Sequence, residues 1–126
     1  MKRKFKQLTK AEEEIMQVLW ELENAFVKEV IEKLPEPKPH YNTVSTIVKI
    51  LEEKGFVDHQ SFGKSNRYFP IISKEEYSRN SMKQFVGKYF NGSFASMMSF
   101  FAKEEDISIN ELESILKEIK KDNPEK

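Results

Sequence analysis

Asn42, Thr43, Ser45, Thr46 and Lys49 are the residues of this chain whose types and spacing best suit chemistry with a polar partner. Small hydroxyl and amide side chains can bond to base edges in a DNA major groove, and a threonine methyl can meet a thymine methyl. Lys49 can reach a phosphate, as can Lys64 and Arg67 further along. With Tyr41 before them and Ile50 after, these residues share the stripe of a helix opposite Val44, Ile47, Val48 and Leu51. No acid stands in the N-terminal half of that stripe, the half that would enter a groove. Taken alone, the same residues also make an ordinary helix surface.

Other chemistry finds little footing. His40 and His59 are the only histidines, and neither has a cysteine or clustered carboxylates at ligand spacing, so neither a metal nor a cofactor is expected. No Gly-rich phosphate loop, G-x-S-x-G or H-E-x-x-H pattern occurs, and no catalytic residue is assigned. The runs Glu12-Glu13-Glu14 and Glu104-Glu105-Asp106 read as solvated faces.

The elements that must position the stripe can be read in order. Thr9-Lys10-Ala11-Glu12 is a capping-box pattern. Behind it Ile15, Val18, Leu19 and Leu22 mark one face of a helix over about Lys10–Leu22, widened by Met16 and Trp20. Ala25-Phe26 is a short break, and Val27–Leu34 is a second helix. Three prolines from Pro35 to Pro39 end it. The third helix starts at His40–Asn42, runs to Lys54, and stops at Gly55, well placed as a left-handed residue. Phe56–Ser61 and Asn66–Ile71 read as strands around the loop Phe62-Gly63-Lys64-Ser65. Three helices followed by a hairpin is the winged-helix layout, a helix-turn-helix variant.

Ser73-Lys74-Glu75-Glu76 is a second capping box and opens a long helix to about Phe90, broken by Asn91-Gly92. Ser93–Lys103 is a short aromatic, Met-rich helix. Ser108-Ile109-Asn110-Glu111 caps a last one. The expected fold is thus mainly α with a small β-hairpin: a winged helix over 1–72 and a helical domain over 73–126. The last three helices total only about fifty residues and cannot bury their apolar faces well alone. Phe94, Met97, Met98 and Phe101, with Leu112, Ile115, Leu116 and Ile119, are therefore expected to form a dimer core. Packing back onto the first domain is the alternative.

Composition is compatible with this. The 126 residues are 38% hydrophobic and 33% charged, with zero net charge and no cysteine. Disulfides and thiolate metal sites are excluded, and a reducing compartment suits the chain. No stretch approaches the ~20 apolar residues of a membrane span, and direct membrane binding is not expected. The basic start Met1–Lys6 lacks a following apolar region, so the expected location is cytoplasmic. Charge is distributed unevenly. Acids of the first domain concentrate between Glu12 and Glu36, while Lys38, Lys49, Lys54, Lys64 and Arg67 follow, so one basic face can coexist with overall neutrality.

The ordered pieces Leu8-Thr9-x-Ala11-Glu12-x-x-Ile15-Met16-x-x-Leu19-Trp20, Glu29 to Leu34, Thr43-Val44-x-Thr46, Lys54-Gly55-Phe56-Val57-Asp58-His59, Tyr68-x-Pro70 and Tyr89-Phe90-Asn91-Gly92-Ser93 resemble the penicillinase and methicillin-resistance repressor family. The resemblance covers nearly the whole chain. It implies a homodimer whose winged helices read a pseudo-palindromic operator in double-stranded DNA, with Thr43 and Thr46 at base edges, Asn42 beside them, and Lys64 and Arg67 on the wing. It also implies release by proteolysis in the dimerisation helices after a membrane sensor-transducer metalloprotease detects a signal such as a β-lactam. Staphylococcal relatives are cut between an Asn and a Phe; the matching pair here is Phe100-Phe101, without the Asn. Copper-responsive relatives carry a C-terminal cysteine motif that this chain lacks.

Two other readings stand beside the repressor. One is a winged-helix protein-interaction module. The other is a small-molecule-responsive regulator with an apolar pocket among Phe85, Phe90, Phe94 and Met97.

Overall fold

A computed structural model describes residues 6–104 and 108–122, with side chains as far as Glu118. The side chain of Ile119 and the Glu105-Asp106 pair lie outside the described residues. The chain forms two compact units, Met1–Asn80 and Ser81–Lys126.

The first unit opens with α1, Lys10–Leu22. Its capping box closes from both sides: Glu12 N–H donates to Thr9 Oγ1 at 3.2 Å, and Thr9 N–H donates to Glu12 Oε1 at 2.9 Å. Two N–H groups with no partner inside the helix are thereby satisfied. β1 (Ala25–Phe26) leads into α2 (Val27–Lys33), whose entry is tied by Phe26 N–H donating to Glu29 Oε1 at 2.8 Å. After the prolines comes α3, Tyr41–Glu53. Gly55, at φ 85°, turns the chain into β2 (Val57–Phe62), which returns as β3 (Ser65–Pro70).

The sheet has three antiparallel strands in the order β1-β3-β2. The sequence shows only the hairpin. Ala25-Phe26, read there as a break, pairs with β3 through Ala25–Tyr68 and Phe26–Arg67. The hairpin loop is also tighter than expected. Phe62 pairs with Ser65, so the turn is Gly63-Lys64 alone, with Gly63 at φ 61°. Positive φ at the first turn position matches the twist of the flanking strands and favours glycine.

Met16, Leu19, Val30, Val48, Leu51 and Phe56 are buried where α1, α2 and α3 meet the sheet. Phe56 also anchors the way out of the unit. Its carbonyl accepts from Ile71 N–H at 2.8 Å, and its ring meets Tyr77 edge-on at 5.6 Å. Trp20 Nε1 donates to the carbonyl of Ile72 at 2.9 Å, and Tyr77 Oη donates to Glu13 at 2.6 Å. Tyr77 belongs to α4 (Lys74–Tyr89), so the first unit takes in the N-terminal part of that helix.

In the second unit α4 ends with Asn91 at φ 52° and Gly92 N–H donating to the carbonyl of Val86 at 3.0 Å, a left-handed helix stop. α5 (Phe94–Lys103) is capped by Ser93 Oγ, and α6 (Ile109–Asp122) by a reciprocal Ser108–Glu111 box. Among the described residues of this unit only Val86 and Met97 are buried.

Candidate nucleic-acid interface

α3 presents the polar stripe as a surface. Val44, Val48 and Leu51 are buried and Ile47 half-buried, which turns Tyr41, Asn42, Thr43, Thr46, Lys49 and Ile50 outward. Ser45 is half-buried at the margin. No acid lies in the first turn, so the N–H groups there keep their positive potential unopposed by a side chain. α3 packs on α1, α2 and β2, so the stripe rides on a rigid base.

The hairpin supplies the second part. Lys64 sits exposed in the turn. Arg67, across from Gln60 in the ladder, lays its guanidinium over the Phe62 ring at 4.7 Å, and Phe62 in turn meets Phe26 edge-on at 5.9 Å. The arginine is therefore held against an aromatic pair instead of sweeping through solvent. β1, which the sequence does not reveal, brings Phe26 there.

The basic face expected from sequence is smaller in fact. Lys54 Nζ is 2.7 Å from Glu12 Oε1 and donates to the carbonyl of Gln7 at 3.3 Å. Lys38 donates to the carbonyls of Glu32 at 2.8 Å and Leu34 at 2.5 Å, capping the end of α2. Neither is spare for a partner. Lys49, Lys64 and Arg67 remain turned outward or half-exposed. Glu12, read as part of a solvated face, is buried: its side chain is only 6% exposed, against 21% for Lys54. Burial pushes the Glu12 carboxyl up, but the hydrogen bond and charge of Lys54 and the N–H of Thr9 outweigh it and hold the group below its ordinary value.

His59 also departs from expectation. Its Nδ1 lies 3.1 and 3.0 Å from the two carboxylate oxygens of Glu52, and the Asp58 carboxylate stands in the same cluster. The sequence puts Glu52 seven residues away, across the Gly55 turn, and only the turn's geometry closes the gap.

The residues assigned to dimerisation separate by burial. Met97 is buried within its own unit, and Met98, Phe101 and Leu112 are half-buried. Phe94, Ile115 and Leu116 are exposed. Phe100 is exposed too, between Phe90 at 5.7 Å and Phe101 at 5.9 Å. No described helix is long and apolar enough to cross a membrane.

A family profile and the relatives found by sequence agree on one family. The penicillinase repressor profile matches residues 8–121. The chain is 28% identical over 116 residues to the methicillin resistance regulatory protein MecI of Staphylococcus aureus (strain N315), covering 91% of this chain and 94% of that protein. It is 31% identical over 122 residues to the penicillinase repressor of Bacillus licheniformis, covering 94% and 95%. The solution structure of the DNA-binding domain of the repressor BlaI aligns at a TM-score of 0.52 and 30% identity, covering 60% of this chain and 93% of that one.

Proposed function

The chain belongs to the penicillinase repressor family, a family of repressors and not of enzymes, and from that premise we propose that it is a DNA-binding transcriptional repressor acting in the cytoplasm as a homodimer. The observation that carries the reading is the α3 surface: a Ser/Thr/Asn stripe without an acid at its N-terminal half, backed by a buried apolar face and flanked by a wing with a lysine at its tip. Tyr41, Asn42, Thr43, Ser45, Thr46 and Lys49 meet the groove, and Lys64 and Arg67 meet phosphates. One such surface per subunit reads one half of a pseudo-palindromic operator.

Mobility shift on the chain's own upstream DNA tests this. Thr43→Ala and Thr46→Ala should each cost ~1–3 kcal/mol on the operator and little on shuffled sequence, because a lost base contact removes discrimination and leaves the phosphate contacts intact. Equal binding of wild type to operator and shuffled DNA would defeat the reading.

Phosphate contacts predict a different signature. Arg67→Ala should flatten the dependence of log affinity on log salt by about one unit, with no change in sequence preference. Phe62→Ala, which removes the ring beneath the guanidinium, should move affinity in the same direction by less, and Phe62→Tyr should restore it. A salt slope that does not move in Arg67→Ala would place the wing off the DNA.

Release follows from cutting within the C-terminal helices, by a membrane sensor-transducer metalloprotease answering a β-lactam or another signal. The Phe100–Phe101 bond lies in the last turns of α5, where Glu104 N–H still donates to the carbonyl of Phe100 at 3.1 Å. Proteases need extended backbone, so the end of α5 has to fray before that bond is cut.

A further inference from the structure

We infer that Glu52, Asp58 and His59 form a divalent transition-metal site at the corner between α3 and the hairpin. Three features support it. The first is the donor set: two carboxylates and one imidazole, each offering one ligand atom, with those atoms all within 4.8 Å of one another. Imidazole with carboxylate oxygen suits Zn²⁺ and its first-row neighbours more than Mg²⁺ or Ca²⁺.

The second is spacing. With metal–donor bonds of ~2.0–2.2 Å, neighbouring donors in a tetrahedral site stand roughly 3.3 Å apart. His59 Nδ1 already lies 3.0 and 3.1 Å from the Glu52 oxygens, so that edge needs only a small expansion. Asp58 is held nearby because one of its oxygens accepts from His59 N–H at 2.7 Å. The fold fixes the backbone at all three positions, with Glu52 and His59 half-buried and Asp58 exposed. Leu51 and Phe56, both fully buried, pin the chain on either side of the Gly55 turn, so Glu52 and the Asp58-His59 pair cannot drift apart cheaply.

The third is charge. Among the described residues no lysine or arginine forms an ion pair with Glu52 or Asp58. Lys54, two residues from Glu52, is turned to Glu12 instead. Among the described residues the one ion-pair contact of the two carboxylates is that of Glu52 with His59 Nδ1, the third proposed ligand, and a divalent ion would neutralise them. The imidazole ligates through an unprotonated Nδ1, so the bound form is the tautomer that carries its hydrogen on Nε2. The bound ion ties the last turn of the base-reading helix to the first residues of the wing strand.

Titration of the chelator-treated full chain with Zn²⁺, followed by calorimetry and thermal melting, tests the site. One equivalent should bind per chain and raise the melting temperature by at least about 4 °C at saturation. His59→Gln and Glu52→Gln should abolish the rise, and His40→Gln should keep it. Mn²⁺ at substoichiometric ratio should broaden first the amide resonances of Glu52, Asp58 and His59, a readout on the unaltered chain that does not depend on any variant folding. Absence of saturable Zn²⁺ binding, a rise that survives His59→Gln, or broadening centred elsewhere would overturn the proposal. None of these outcomes depends on DNA binding.

Discussion

Leu116→Glu should lower affinity for a full two-half-site operator by about 10²–10⁴-fold while leaving affinity for an isolated half-site unchanged. The size follows from tethering: linking two half-site contacts makes the second one intramolecular, and losing the link forfeits that effective concentration. The position follows from burial. Leu116 is 56% exposed and its α6 neighbour Ile115 41% exposed in the single chain, so a charge there costs the monomer little. In a dimer core the same carboxylate would be desolvated without a partner, which is expensive. The motive for placing the dimer here is the poverty of the second unit's own core. Val86 and Met97 are the buried residues among those described, while Phe85, Phe94 and Phe100 stay exposed. A unit of that size with so little buried apolar surface is a poor independent fold. Sedimentation equilibrium should show wild type as a dimer and Leu116→Glu as a monomer with unchanged helical content. A variant that stays dimeric and binds operator normally would move the dimer interface off α6.

Glu12→Ala should destabilise the first unit by roughly 2–3 kcal/mol, or on the order of 10–20 °C in melting temperature for a domain of this size. Removing the carboxylate opens the α1 capping box, which by itself is worth ~1 kcal/mol. It also strands Lys54, whose ammonium loses a 2.7 Å partner while staying mostly covered. The exposed fifth of Lys54 keeps the loss below the 3–5 kcal/mol typical of a fully buried pair. The pH dependence has a definite sign. The folded-state carboxyl lies below its ordinary value, so the unfolded chain binds the proton more readily. This contribution is fully present above about pH 4.3, the unfolded value. It is lost as pH falls through the lower, folded value. Wild type and Glu12→Gln should accordingly differ in melting temperature at neutral pH and converge on acidification. Parallel curves across that window would mean that the ion pair contributes nothing to folding.

Helix bounds were largely legible from the residues, because what starts and stops a helix is local. Thr9-x-x-Glu12 predicts the start of α1, and Gly55 predicts the turn after α3; both stand where expected. The apolar periodicity of Val44, Val48 and Leu51 likewise announces which side of α3 is outward. These signals act within about a turn or two of helix, a distance over which the sequence itself fixes the geometry.

What only the tertiary structure decided are the pairings between residues distant in the chain. Ala25-Phe26 is too short for any period, and it is a strand because β3 comes to lie beside it. Lys54 counts as a free base until α3 sets it against α1, and Glu12 counts as solvated until the same contact covers it. Arg67 becomes a held cation only when Phe26 and Phe62 meet. His59 gains its two carboxylates from a left-handed turn that reverses the chain. Each depends on where two elements dock, an energy summed over the whole core that no short window of residues contains. The residue types in the Ser/Thr stripe of α3 were set by sequence, and so was its outward direction. Which cations stand free around it, and which are tied to the fold, was set by packing.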